Sequence, residues 1–130
     1  MSRLDLPANP ASPAAARAFV RDLLTDWRVQ QEVREDAELL VTELVTNALI
    51  HAGASATLEV RREGTILHFS VSDDGPGTVK LRIPARDAVT GRGLYILDQL
   101  APDWTVEPFA PRGKTIRFSL DDTSPEEMAV

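Results

Sequence analysis

Apolar residues at Ala16, Phe19, Val20, Leu23, Leu24 and Trp27 recur at three- and four-residue intervals. That spacing predicts an amphipathic helix over residues 13–27, one face of which is buried. Ser12-Pro13 marks its start, with a hydroxyl cap followed by proline at the first helical position. The twelve residues before it, broken by Pro7 and Pro10, read as an extended lead-in. A second apolar face is formed by Val33, Ala37, Leu40, Val41, Leu44, Val45 and Ala48. It predicts a helix from about Gln31 to His51, stopped by Gly53. The period then changes to two, in Thr57-Leu58-Glu59-Val60-Arg61 and again in Leu67-His68-Phe69-Ser70-Val71. With Glu63-Gly64 between them, the two runs predict a hairpin. The second strand leads into Asp73-Asp74-Gly75-Pro76-Gly77, a loop on its turn residues. Residues 78–92 show no clean period. A short helix follows over Gly93–Leu100, closed by Pro102. Two further strands, 104–109 and 114–120, are joined by Ala110-Pro111-Arg112-Gly113.

Two helices, a hairpin, a loop, a helix and two more strands predict a two-layer α/β sandwich. The sheet is expected to be mixed and mainly antiparallel, with the helices on one face. A doubly wound parallel sheet would need a helix between every pair of strands. The 130 residues suit one domain. The folded part is expected over 13–120, after the lead-in at 1–12 and before an acidic, frayed tail at 121–130. An apolar share of 43% is enough for a core and excludes global disorder.

Composition narrows the chemistry. The absence of cysteine excludes a disulfide scaffold, a thiolate zinc site and a cysteine nucleophile. The net charge of −6 speaks against a nucleic-acid footprint. Four of the acids, Asp121, Asp122, Glu126 and Glu127, sit in the tail, which leaves −2 for the rest. No apolar stretch approaches the roughly 20 residues that span a bilayer, and the N-terminus lacks a secretory core. A soluble, cytoplasmic protein without a membrane partner is the expectation.

Three features could carry chemistry. Glu43 and Asn47 lie four apart on the second predicted helix and so share a face beside its apolar stripe. An amide oxygen there could ligate Mg²⁺, and a carboxylate one turn earlier could accept a proton from an attacking hydroxyl. Taken alone, a solvated helix edge is the simpler reading. Asp73, Gly75 and Gly77 follow an apolar strand. The glycines allow close backbone approach, and the carboxylate could accept a hydrogen bond from an exocyclic amine such as adenine N6. Taken alone, this is a turn. Gly91-Arg92-Gly93-Leu94 opens the third helix, where free N–H groups and the helix dipole suit an anion. Lys80, Arg82 and Arg86 upstream add positive charge. A glycine-capped helix start with surface arginines explains the same residues equally well.

In this order, the three motifs resemble those of the GHKL ATP-binding fold, the superfamily of gyrase B, histidine kinases and MutL. Glu43-Leu44-Val45-Thr46-Asn47-Ala48 looks like its N box, Asp73-Asp74-Gly75-Pro76-Gly77 its G1 box, and Gly91-Arg92-Gly93-Leu94 its G2 box. Gly113-Lys114-Thr115 resembles the late Gly-Thr element before the last strand. The resemblance spans about Asp36 to Leu120. Within the superfamily, residues 43–52 and 91–97 look most like the stand-alone anti-sigma factor/serine kinase branch, which acts in transcription regulation.

That resemblance implies ATP and Mg²⁺ as cofactors. It implies Glu43 as the general base toward a partner serine, Asn47 on Mg²⁺ and Asp73 on adenine N6. Thr115 would support Asp73 through a hydroxyl hydrogen bond. Gly75 and Gly77 would let the base approach, and Gly91, Arg92, Gly93 and Leu94 would border the phosphates. His51 is a helix-end cation that could also touch nucleotide. Residues 78–90 would form a lid. The implied partners are a sigma factor and an anti-anti-sigma protein, with a homodimer compatible with the branch. No helix bearing a phospho-acceptor histidine and no transducer domain is seen, so a complete histidine kinase or gyrase is not expected. Three functions stay open: a serine protein kinase, an ATP-binding anti-sigma module with little or no phosphoryl transfer, and an adaptor that binds no nucleotide. Outside the motifs, His68 reads as a sheet-face residue, and Trp27 and Trp104 as core or interface anchors.

Overall fold

A computed structural model describes residues 1–49, 53–75, 92–108 and 113–123, with only the backbone of 92–95. Its elements are β1 (Ser2–Leu6), α1 (Ser12–Asp26), α2 (Gln31–Asn47), β2 (Ala56–Glu63), β3 (Ile66–Asp73), α3 (Arg92–Leu100), β4 (Thr105–Pro108) and β5 (Lys114–Asp121). The five strands form one sheet in the order β1-β2-β3-β5-β4, and all four pairings are antiparallel. The helices pack on one side, as a two-layer α/β sandwich requires. The hairpin turns at Gly64, whose φ of 62° is the left-handed conformation glycine adopts at no steric cost.

The core lies between the layers. Val20 and Leu24 of α1, Leu40, Val41 and Leu44 of α2, and Leu58, Val60, Leu67, Phe69, Val71, Ile116 and Phe118 of the sheet are all buried. Phe69 and Phe118 face each other across β3 and β5 with ring centroids 4.8 Å apart and nearly parallel planes. Phe19, Leu23, Trp27 and Trp104 pack against this core from its margin. Trp104 also donates its indole N–H to Asp98 at 2.6 Å.

Three local features depart from the sequence reading, and a fourth, the end of α1, is not covered by it. Residues 2–6 of the lead-in add an edge strand beside β2, their alternating Leu4 and Leu6 turned to the core. Ser12 does not cap α1. It stands inside the helix after Ala11, and its hydroxyl donates to the carbonyl of Pro7 at 2.6 Å. The end of α1 is a Schellman closure, in which Val29 N–H reaches Leu24 C=O and Arg28 N–H reaches Thr25 C=O. Arg28 holds the left-handed position usually given to glycine, with φ 58°. Finally, the chain past Leu120 is anchored rather than frayed as far as Thr123. Asp122 accepts hydrogen bonds from the backbone and side-chain N–H groups of Gln30, the residue that precedes α2, and pairs with Arg62 at 3.5 Å. Residues 124–130 lie outside the described residues.

Candidate nucleotide site

Alternation along β3 sets the site. Leu67, Phe69 and Val71 are buried in the core-facing row, and Asp73 is the next residue in that row. It is a carboxylate where the strand pattern would place an aliphatic side chain, and it is only 5% exposed. Burial of this kind is costly unless the charge is paired and hydrogen-bonded. Both oxygens are engaged. Oδ1 accepts the Gly75 N–H at 3.1 Å, and Oδ2 accepts the Lys114 ammonium at 2.6 Å. Lys114 stands directly opposite Asp73 in the β3–β5 register, so the two side chains share the core-facing side.

Thr115 does not make the expected contact with Asp73. Its register partner is Ser72, and the two hydroxyls lie 2.8 Å apart. One residue along a strand reverses the face, so Thr115 and Ser72 project from the other side of the sheet. Lys114 takes the supporting position instead. In the sequence, Lys114 reads as the start of the last strand and the middle of Gly113-Lys114-Thr115, with no role of its own. Strand alternation counted back from the apolar Ile116 and Phe118 carried the missed signal.

The C-terminal end of α2 lies at the same end of the sheet. Ala54 N–H returns to the carbonyl of Ala48 at 3.5 Å, just before Ala56 begins β2. Ala56 is the register partner of Asp73 on the other side of β3. Asn47, adjacent to Ala48, therefore closes its helix at the end of the sheet that carries Asp73. Glu43 lies one turn earlier. Both residues are half-buried and flank the apolar stripe of Leu40, Val41, Leu44 and Val45. Helix α3, opened by Arg92 and Gly93, packs against α2. Residues Arg92, Gly93 and Leu94 thus have helical backbone. His51, Gly77, Gly91 and the basic residues Lys80, Arg82 and Arg86 lie outside the described residues.

Among the described residues, no group of three His, Asp or Glu side chains is placed to hold a metal ion. A cation here would take most of its ligands from elsewhere, as Mg²⁺ does when it binds through one or two protein oxygens plus phosphates. The donor set fits a purine nucleotide. A buried acceptor is fixed at the sheet end, a glycine adjoins it, and α2 carries a half-buried carboxylate and amide, Glu43 and Asn47. On the opposite face of the sheet a cavity of about 290 Å³ is lined by residues including Glu59, Arg61, His68 and Arg117. Among the described residues, none of those in the motifs lines it.

The description "histidine kinase-like ATPase domain" fits residues 6–120 of the sequence. The chain belongs to this family. Solved structures of histidine kinase-like ATPases share its fold, which is an ATP-binding fold. The RsbU and RsbW domains of Rv1364c from Mycobacterium tuberculosis superpose with a TM-score of 0.70 at 19% identity. That match covers 96% of this chain and 34% of the other, so the present chain spans about a third of its neighbour. The SiaB–SiaC complex from Pseudomonas aeruginosa gives 0.68 at 11% identity, covering 92% and 90%. The nucleotide-free catalytic domain of the histidine kinase ThkA gives 0.55 at 14% identity, covering 95% and 99%. No curated protein matches the sequence. No helix among the described residues is long and apolar enough to cross a membrane.

Proposed function

We propose that this histidine kinase-like ATPase domain is a partner-switching regulator. In this reading it binds Mg-ATP, phosphorylates a serine of an anti-anti-sigma protein, and otherwise holds a sigma factor. The observation that carries the reading is Asp73, a buried carboxylate that replaces an apolar side chain in the core-facing row at the end of the sheet where α2 brings Asn47. The structural likeness to the RsbW-containing protein and to the SiaB–SiaC complex supports the choice of branch.

Asp73 accepts from the base, and Gly75 adjoins it without a side chain. The Asn47 amide oxygen would hold Mg²⁺. Backbone N–H groups at Gly91, Arg92, Gly93 and Leu94 would border the phosphates, with His51 at the edge. When bound, Mg-ATP supplies the phosphoryl group. Glu43 would accept the proton from the partner's serine hydroxyl in the transfer, with ADP as the leaving group. Phosphoryl transfer relies mainly on positioning and charge stabilisation, so few protein groups are needed.

Incubation with labelled ATP and candidate anti-anti-sigma domains tests the reading. A serine should be labelled, and Glu43→Ala should abolish labelling while ATP still binds. Full labelling by that variant would remove Glu43 from the role. Binding of a partner that depends on ATP without any labelling would identify a switching module in place of a kinase, with a coupling of about 1–3 kcal/mol between the two sites.

A further inference from the structure

We propose that Lys114 reads the base, its ammonium donating to ring nitrogen N1 of adenine while Asp73 accepts from the N6 amine. The inference rests on the nucleotide site proposed above and adds a specificity-determining residue to it. Three observations converge on Lys114. It stands opposite Asp73 on the core-facing side of adjacent strands. Its Nζ lies 2.6 Å from Asp73 Oδ2, and its side chain is only 20% exposed. It therefore places a fixed cationic donor beside the buried acceptor.

A donor and an acceptor this close present the same pair of groups as a side-chain amide, which pairs bidentately with adenine N6 and N7, and N6 with N1 offers the same donor–acceptor order. The Watson–Crick edge of adenine carries its own donor and acceptor, N6–H and N1, on neighbouring ring positions. That edge is also the end of the base farthest from the ribose, so it suits the buried end of a site whose phosphates lie toward the helix termini. Each carboxylate oxygen has a lone pair left after its bond to Gly75 or Lys114, and the ammonium has two further protons. The ion pair can thus remain while the base binds. Guanine reverses the edge: its O6 would face the carboxylate and its N1–H the ammonium. A site built on one polarity rejects the other strongly.

Titration calorimetry on the full chain with Mg²⁺ tests the assignment, using ATP, 1-deaza-ATP, 7-deaza-ATP and GTP. The wild type should bind ATP about ten- to a hundred-fold more tightly than 1-deaza-ATP, the usual range for a hydrogen bond to a charged group. The affinity for 7-deaza-ATP should match that for ATP, and GTP should bind weakest. Lys114→Met should bind ATP and 1-deaza-ATP alike, both at the weaker level. Equal wild-type affinity for ATP and 1-deaza-ATP would overturn the proposal, and this comparison needs no variant to fold. So would tighter ATP binding by Lys114→Met, because the lysine would then compete with the base for Asp73. A wild type that binds no nucleotide at all would remove the proposed site itself, and Lys114 with it, a result distinct from the other two.

Discussion

Asp73→Asn changes the charge of the buried acceptor and nothing in its shape. No cavity opens, so the cost comes from the polar groups. Removing one partner from a buried ion pair costs about 3–5 kcal/mol when the other charge is left dry. Lys114 keeps 20% of its side chain exposed, which lets the ammonium turn toward water. The asparagine carbonyl can also keep one of the two bonds, either to Gly75 or to Lys114. We therefore expect a loss of about 1–2 kcal/mol, and for a chain of this size a melting temperature lower by about 4–8 °C. The second effect is on ligand. The new amide group turns N–H donors toward adenine N6 or toward Lys114, and ATP affinity should fall about ten- to a hundred-fold. Scanning calorimetry and titration calorimetry on the same preparation separate the two effects. In the Lys114→Met background the stability cost should shrink, since the pair is already broken. An unchanged melting temperature together with unchanged ATP affinity would refute the reasoning. A lower melting temperature with full ATP affinity would place the nucleotide elsewhere.

Three further outcomes are expected. Asn47→Ala should make ATP affinity in Mg²⁺ equal to that in a chelator, as read by titration calorimetry; an undiminished magnesium effect would reject Asn47 as the ligand. The carboxyl of Asp36 is pushed above its ordinary value, first by burial and then by the charges of Glu32 and Glu35. Its ionised form is thus disfavoured in the fold, so the stability it contributes is full below the unfolded-state value and lost as pH rises through the raised one. Asp36→Asn should stabilise by about 0.2–0.5 kcal/mol at neutral pH, the scale of a like-charge pair on a helix, with no gain near pH 3 and less in high salt. Arg28→Gly should raise stability by about 1 kcal/mol in chemical denaturation, because the left-handed φ of 58° that closes α1 is costly for a residue with Cβ; a loss would mean that the arginine side chain contributes more than its backbone strain.

The two long helices were legible because their apolar residues repeat with helical spacing and bury on one face. The hairpin was legible because the period changes to two around Gly64. The motif order placed Asp73 at a strand end, and the structure finds it there, buried. Other features needed strand register. β1 alternates over only five residues beside a proline, and that signal gains weight only once β2 is seen pairing with it. Thr115 and Lys114 are neighbours in sequence, so only the pairing of β3 with β5 shows which one shares a face with Asp73. The role of Asp122 depends on Gln30, 92 residues away, and no local pattern carries such a contact. Ser12 sits at a helix start and has the chemistry of a cap, but the carbonyl of Pro7 takes its hydroxyl.

The central claim is that a purine nucleotide sits with its base against Asp73 and its phosphates toward Asn47 and the start of α3. A crystal structure grown with Mg²⁺ and a non-hydrolysable ATP analogue measures this directly. The account predicts the adenine amine within hydrogen-bond distance of the Asp73 carboxylate and the metal on the Asn47 amide oxygen. An analogue seated on the opposite face of the sheet, or crystals at saturating analogue with Asp73 and Asn47 touching no ligand, would contradict it.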